Sequence, residues 1–577
     1  MMTASENETV DVLIVGSGAG AMTAAIKAYD AGLKVLMIEK SDLYGGSSAM
    51  SGGALWVPNN PLMKKKGVSD SREDSLQYLT TLSGGDTEVS RLESYVDHSP
   101  RMVKYLLENS RLRLDSLERY PDYYPEAKGG KPGGRSMEPK SFWATELGGD
   151  FARLRPSHPQ ELMFGKIGLT ARESHVLVCG GWRSYFLAFF IMMRYMLNFS
   201  ARKRSKRDTR LTLGNALVGS LRASMQDREI PLWLNTSLID LCGDDSQIDG
   251  AVVSRNGREI KVVARRGVIL AAGGFARNLE LRKKYQQDPI SIDWTAANPK
   301  NTGDLYPIFD KLRIPLKLME EAWWTPVTLV PGKEFSWLLV VEKSMPGSIL
   351  VNARGKRFTN EAAPYVDVVN GMYREDETGL KSVPAFLIFD ARYRRNYPCG
   401  PFAPGRVQPD KSLPRKYREH FFKKATSLDA LAHMLGIDPE GLKETIQRFN
   451  GDALEGVDPD YQRGESLYDR YYSDPRISPN PCLAPIVEPP YYAIEVFPGD
   501  LGTKGGVLTD RAGRVLNDAQ QPIVGLYATG NCTASMMGKS YPGAGGTIGP
   551  AMTFGFLAAE DMAAGNGHGA ESQSTAA

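Results

Sequence analysis

Apolar positions in this chain gather into short uninterrupted runs, separated by stretches of helical periodicity. Asp11-Val12-Leu13-Ile14-Val15 is one such run, and a helical pattern follows it through Ala31. Gly32-Leu33-Lys34-Val35-Leu36-Met37-Ile38 is a second, Gly267 to Ala272 a third and Gly525-Leu526-Tyr527-Ala528 a fourth. Short apolar runs bounded by glycine read as strands covered on both faces, the habit of a parallel sheet. Residues 232–238 and 384–390 read as further strands. Helical patterns cover residues 217–225, 428–435, 439–450 and 551–562. Those at 428–435 and 439–450 are amphipathic, which speaks for packing rather than chemistry.

One stretch breaks the alternation. Residues 182–210 open with Trp182, Tyr185, Phe186, Leu187, Phe189, Phe190, Ile191, Met192 and Met193, interrupted early by Arg183. They close with Arg194, Arg202, Lys203, Arg204, Lys206, Arg207 and Arg210, opposed only by Asp208. The uncharged run is far below the roughly 18–20 residues that cross a bilayer. An aromatic run beside a basic cluster suits a monotopic patch on an anionic membrane surface. An internal helix with a basic end is the alternative.

Composition narrows the classes. A chain of 577 residues is too long for one core, so two domains or more are expected. A net charge of +3 gives no general attraction to nucleic acid. Cys179, Cys242, Cys399, Cys482 and Cys532 are scattered and form no CxxC, which argues against a disulfide scaffold and a structural metal site. Residues 1–10 are polar, without an apolar signal segment, so a cytoplasmic protein held peripherally at the inner face of the cell membrane is the expectation. The six histidines sit outside every motif below.

The first strand feeds into Gly16-Ser17-Gly18-Ala19-Gly20-Ala21, and the second ends at Glu39, followed by Lys40. This is the strand–GxGxxA–helix–strand–acid order of a dinucleotide site. The first glycine makes the turn, the second admits a pyrophosphate, Ala21 allows close packing, and Glu39 stands where ribose hydroxyls would be. Gly45-Gly46-Ser47-Ser48 and Ser51-Gly52-Gly53 form a second amide-rich loop. Ala272-Gly273-Gly274, the turn from Asn301 to Asp304, and Gly530-Asn531 follow. Residues 232–238 would edge an adenine. Near the end, Ser540-Tyr541-Pro542-Gly543-Ala544-Gly545-Gly546-Thr547-Ile548 places glycines and one tyrosine ahead of a helix whose positive end faces the loop. So extended a set suits FAD better than NAD.

With these motifs the chain resembles FAD-dependent oxidoreductases of the fumarate reductase and succinate dehydrogenase flavoprotein superfamily. That resemblance implies an α/β chain with a Rossmann-like FAD-binding domain interrupted by an α+β capping domain. Residues 1–280 would form the first part of the FAD domain, 281–490 the catalytic domain and 491–577 the closing part, with a disordered tail from residue 565. Members acting on dicarboxylates surround the flavin with arginines and a histidine. Here residues 541–549 hold no arginine, and residues 43–53 hold no histidine for covalent flavin attachment. A dicarboxylate substrate is disfavoured and non-covalent FAD is expected.

Tyrosines stand in place of the arginines. Tyr120-Pro121-Asp122-Tyr123-Tyr124-Pro125-Glu126, Pro364-Tyr365, the loop from Ser540 to Gly545, and Phe497 to Gly506 together are similar to 3-ketosteroid Δ1-dehydrogenases. The resemblance implies a 3-oxo steroid substrate and a quinone or other electron acceptor. It also implies roles: the Tyr541 hydroxyl and the Gly545 N–H polarise the 3-oxo group, Tyr365 takes the proton from carbon 2, Tyr123 supports that base, and the hydride from carbon 1 goes to flavin N5. A phenol with an ordinary pKa near 10 is a poor base alone, so the helper matters. Spacing does not choose between Tyr123 and Tyr124 for that part. Trp323, Trp324 and Phe497 fit an apolar substrate slot and an ordinary core equally well. Dehydrogenation of the 4,5 bond of 3-oxo-5α-steroids, a fumarate-type reductase, and a flavin-binding sensor or carrier are the alternatives.

Overall fold

The computed structural model describes residues 7–179, 181–199, 205, 207–379 and 381–565. The tail after Gly565, residues 1–6, and Arg202, Lys203, Arg204 and Lys206 lie outside the described residues.

The apolar runs meet in one sheet of a mixed α/β chain. Asn7–Val15 lies parallel to Val35–Ile38 on one side and to Arg258–Leu270 on the other. Pro522–Ala528 pairs in parallel with the C-terminal end of Arg258–Leu270, so the last segment completes a sheet begun by the first. Val12, Leu13, Ile14, Val268, Ile269 and Leu270 are fully buried, as runs without polar alternation require. Residues 232–238 do not form one strand. Asn235 adopts φ +50°, a conformation asparagine tolerates better than most residues. Leu232–Trp233 therefore joins Val35–Ile38 in parallel, while Thr236–Gly243 turns into an antiparallel pair with Ile248–Arg255.

Helices Ala19–Asp30 and Ile548–Ala563 cross at two glycines. A Cβ on Gly20 would lie 2.6 Å from the Ala551 carbonyl oxygen, and one on Gly555 would lie 2.5 Å from the Gly20 oxygen. The second helix begins ahead of residue 551 because Pro550 sits in its first turn, where a missing N–H breaks no helical hydrogen bond.

The second sheet is antiparallel. Its order is Trp337–Leu338, Ala322–Thr328, Tyr491–Thr503, Ala385–Phe389 and Ser348–Val351. Helix Tyr365–Glu377 packs Val368 and Met372 on one face of it, against Leu350 and Leu387. Helices Leu428–Leu435 and Pro439–Glu455 pack Leu431, Leu442 and Ile446 on the other, against Ile349, Val351 and Ile388. The alternation of faces along Ser348–Val351 and Ala385–Phe389 is the two-residue strand period. Tyr491–Thr503, placed by sequence in the closing segment, is the central strand of this sheet, and the chain leaves it for the first sheet through Lys504.

Trp182–Leu197 is a helix on the outside of the molecule, burying only Ser184 and Ile191. Trp182, Tyr185, Phe186, Phe189 and Phe190 are 57–68% exposed. No described helix is long and apolar enough to cross a membrane. Asp208 is not the only counter-charge to the basic end. Arg210 pairs with Glu173 through two hydrogen bonds of 2.9 and 3.0 Å, and Arg207 turns inward to the Leu154 oxygen and Asn215.

Candidate active site

A continuous cavity of about 610 Å³ runs from the Gly16–Ala21 turn to a cluster of tyrosines. Of the candidate catalytic and cofactor-binding residues named from the sequence, all but the alternative helper Tyr124 and Gly45, Gly274 and Gly546 line it. The three glycines are packing positions. A Cβ on Gly45 would meet Ala49 at 2.8 Å, one on Gly274 would meet the Thr503 hydroxyl at 2.1 Å, and one on Gly546 would meet Pro542 at 3.0 Å.

The cradle end is tied together by short side chains. Ser17 donates to Glu39 (2.6 Å) and accepts from the Gly45 N–H (3.0 Å), while the Ala19 N–H donates to Ser48 (3.1 Å). Ser41 N–H holds the other Glu39 oxygen at 3.0 Å. A carboxylate has about four acceptor positions, so two remain for a ligand's hydroxyls. Lys40 bridges to Thr302 and Asp304, and Asn301 donates to Ser47 at 3.0 Å, docking the 301–304 turn onto the first segment.

The residues fit a flavin dinucleotide. Gly16 is at φ +107° and its Cβ would sit 2.3 Å from the Ala271 oxygen, so the fold itself demands glycine there. Gly18 and Gly52 differ: a Cβ on Gly18 meets only Ser48 at 3.4 Å, and one on Gly52 meets nothing within 4 Å. Both line the cavity, so their bare backbone faces the space a ligand would fill. The N-termini of Ala19–Asp30 and Ile548–Ala563 both open into it, favouring negative charge at each end.

The tyrosine end is assembled from distant segments. Tyr365 opens helix Tyr365–Glu377 directly after Pro364, and its hydroxyl lies 2.6 Å from that of Tyr123. The Tyr541 ring packs edge-on against Tyr365 at 5.5 Å and against Trp323 at 4.8 Å. Tyr123 is fixed by its own N–H, which donates to the Pro542 oxygen at 3.0 Å. The neighbouring Asp122 is held by Trp56 and by fully buried Arg135, which also grips Asp70. Tyr124 points elsewhere, donating to Asp367 at 3.0 Å. Gly545, at φ +98°, has no room for a side chain: a Cβ would lie 2.5 Å from the Ala54 oxygen and from the Trp56 nitrogen.

Burial pushes the Tyr365, Tyr123 and Tyr541 hydroxyls above the ordinary phenol value, so all three rest as neutral phenols. The shared Tyr123 proton opposes that rise at Tyr365. No arginine lines the cavity among the described residues.

Several lining residues have no role assigned by any motif, including Tyr120, which opens the stretch from Tyr120 to Glu126. Tyr120 and Tyr472 share a hydrogen bond of 3.0 Å at the cavity wall. His158 and Glu161 also line it; burial pulls the imidazole down to about 4 and lifts the carboxyl to about 7. Nothing in their sequence spacing marks them. Trp323, Trp324 and Phe497 do not line the cavity; Trp323 packs on the Tyr541 ring and Phe497 stacks on Trp294.

The family model described as FAD binding domain matches residues 11–548. The chain is 42% identical to a 3-oxosteroid 1-dehydrogenase of Mycobacterium tuberculosis, covering 96% of this chain and 98% of that one. It is 36% identical to a 3-oxosteroid 1-dehydrogenase of Comamonas testosteroni, covering 96% of each. Among solved structures it is similar to the 3-ketosteroid Δ1-dehydrogenase of Sterolibacterium denitrificans in complex with 1,4-androstadiene-3,17-dione. That likeness has a TM-score of 0.94 and 45% identity, over 97% of this chain and 100% of that one. The chain belongs to the FAD binding domain family and, within it, to the 3-ketosteroid Δ1-dehydrogenases.

Proposed function

We propose that this protein is an FAD-dependent 3-oxosteroid 1-dehydrogenase, removing hydrogen from carbons 1 and 2 of a 3-oxo steroid. The observation that carries this reading is the Tyr123–Tyr365–Tyr541 cluster at one end of the cavity whose other end is the dinucleotide turn. Two relatives named for this activity and a neighbour bound to a steroid dienone support it. The parallel sheet and its two glycine-crossed helices act as a Rossmann-like FAD domain, and the 281–490 segment caps it.

When bound, non-covalent FAD supplies the acceptor for the hydride leaving carbon 1. Gly16, Gly18, Glu39, Ser48 and Asn531 line the cavity and would hold it. The Tyr541 hydroxyl and the Gly545 N–H donate to the 3-oxo oxygen, stabilising the negative charge that grows there as the carbon 2 proton leaves. Tyr365 accepts that proton, and Tyr123 donates to the Tyr365 oxygen, easing its ionisation. The electrons of the broken C2–H bond form the new 1,2 double bond as hydride departs from carbon 1. Tyr124, engaged with Asp367, takes no part as helper. Burial of all three hydroxyls keeps water from competing for the proton. The tyrosine roles are tested by Tyr365→Phe and Tyr541→Phe: turnover should collapse with FAD still bound, and unchanged turnover would remove both from the mechanism.

The Trp182–Leu197 helix is the membrane contact, with the protein cytoplasmic and peripherally bound at the inner face of the membrane. Its exposed aromatic face supports this, as does its position next to helix Ala171–Cys179, which lines the cavity. A steroid partitions into lipid, and a quinone acceptor resides there. If a protein lacking residues 182–210 still sediments with membranes after low-salt lysis, the membrane reading fails.

A further inference from the structure

Each of the two tyrosines that handle the substrate is presented by a loop whose carbonyls end on a buried lysine. Lys343, 1% exposed, donates from Nζ to the Glu361 oxygen (2.8 Å) and the Ala363 oxygen (2.7 Å), just ahead of Pro364-Tyr365. Lys504, fully buried, donates to the Lys539 oxygen (2.7 Å) and the Ser540 oxygen (2.8 Å), the latter on the residue before Tyr541. The two lysines come from separate segments, yet they repeat one arrangement.

Burying an ammonium group is costly, and it is tolerated where oxygens satisfy its donors. Burial pulls both lysines down to about 7. The charges facing Lys343 are Asp469, Glu361, Asp367 and Arg463; those facing Lys504 are Glu321, Asp86 and Asp367. Asp367 thus faces both lysines, sits in the first turn of the Tyr365 helix, and accepts from Tyr124. The Lys504 ammonium also lies 4.6 Å from the Trp323 ring centroid, and that ring packs on Tyr541. An ammonium has three donors, so one side chain spans two carbonyls of a loop with a donor to spare.

We propose that Lys343 and Lys504 are positioning residues, each clamping the backbone that presents one tyrosine, Tyr365 and Tyr541 respectively. Their work is geometric: they fix the distance between base and ketone donor although they stand on different segments. This rests on the tyrosine roles proposed above. Lys343 acts through the base, which matters only as the proton leaves. Lys504 acts through the ketone donor, which bonds substrate before and during reaction.

The test is a pair of double-mutant cycles on the FAD-loaded protein, with steady-state turnover and equilibrium binding of a 1,4-diene-3-oxo steroid as separate readouts. Methionine keeps the aliphatic stem and removes the donors. Lys343→Met should lower kcat about 10- to 100-fold at unchanged KM and steroid binding. Lys504→Met should lower kcat and weaken steroid binding together. In a Tyr365→Phe background, Lys343→Met should cost less than about twofold more, whereas in a Tyr541→Phe background it should cost its full amount. Should the methionine variants lose FAD, Lys343→Leu and Lys504→Leu, which also lack donors, carry the same cycles. Full additivity of Lys343 with Tyr365, or a change in KM alone, would overturn the proposal. If Tyr365→Phe itself turns over normally, the tyrosine assignment fails instead. A slow Tyr365→Phe beside an unimpaired Lys343→Met sinks only the clamp.

Discussion

The two ends of the cavity are built in opposite ways. The dinucleotide end is local: Gly16, Gly20, Glu39 and their strand and helix come from one stretch of chain, held by Ser17 and by steric demands that no other residue meets. The tyrosine end is assembled from afar, with Tyr123, Tyr365 and Tyr541 each delivered by a different segment and secured by contacts to backbone. The first kind of site is lost when the fold is lost. The second can be lost with the fold and the bound cofactor intact.

The largest effect should come from breaking the local end. Gly16→Val drives a branched side chain into the Ala271 carbonyl at φ +107°, and protein purified from this variant should carry no flavin. Absorbance of flavin per chain checks it, and normal FAD content would deny the turn its steric role. Next, Tyr365→Phe should retain FAD and lose turnover by about 10²–10⁴-fold, the range for removing a general base. Gly545→Ala follows, since its Cβ must displace the Ala54–Trp56 backbone and with it the ketone donor; turnover should fall about 10²-fold with FAD retained.

The smallest effect is expected at the helper. Burial raises the Tyr365 hydroxyl well above 10, so at neutral pH the base form is scarce and grows about tenfold per pH unit. Turnover should therefore climb with pH with a slope near +1 on logarithmic axes until that group ionises. Tyr123→Phe removes a donor that lowers the Tyr365 pKa, so turnover should drop about tenfold at each pH while the slope is kept. A flat profile in the unaltered protein would show that the base is already ionised.

The same contrast governs what the sequence made legible. The strand–glycine–helix–acid order is a contiguous pattern with a steric cause, so its strands, turn and helix follow from residues 11–39 alone. The apolar run from Gly525 to Ala528 likewise announced the closing strand, and the helical pattern from residue 551 announced the closing helix, which starts earlier, at Ile548. Asn235 was not legible, because a side chain that merely tolerates positive φ gives no signal in an apolar run. Tyr123, Tyr365 and Tyr541 were singled out by family resemblance, because no spacing joins residues so far apart among 25 tyrosines. The different partners of Tyr123 and Tyr124 needed the fold, which gives one the Tyr365 hydroxyl and the other Asp367. Lys343 sits in no pattern, and Lys504, although inside the stretch from Phe497 to Gly506, is given no role by it; the partners of both are backbone carbonyls, which carry no residue identity.

Anaerobic mixing of the FAD-loaded protein with a 3-oxo-4-ene steroid joins both ends of the cavity in one measurement. The flavin absorbance should bleach within the turnover time, and the steroid recovered should be the 1,4-diene with its 3-oxo group intact. A flavin that stays oxidised in the presence of bound steroid, or bleaching that yields a double bond elsewhere in the ring, would contradict 1,2-dehydrogenation at the Tyr365–Tyr541 site.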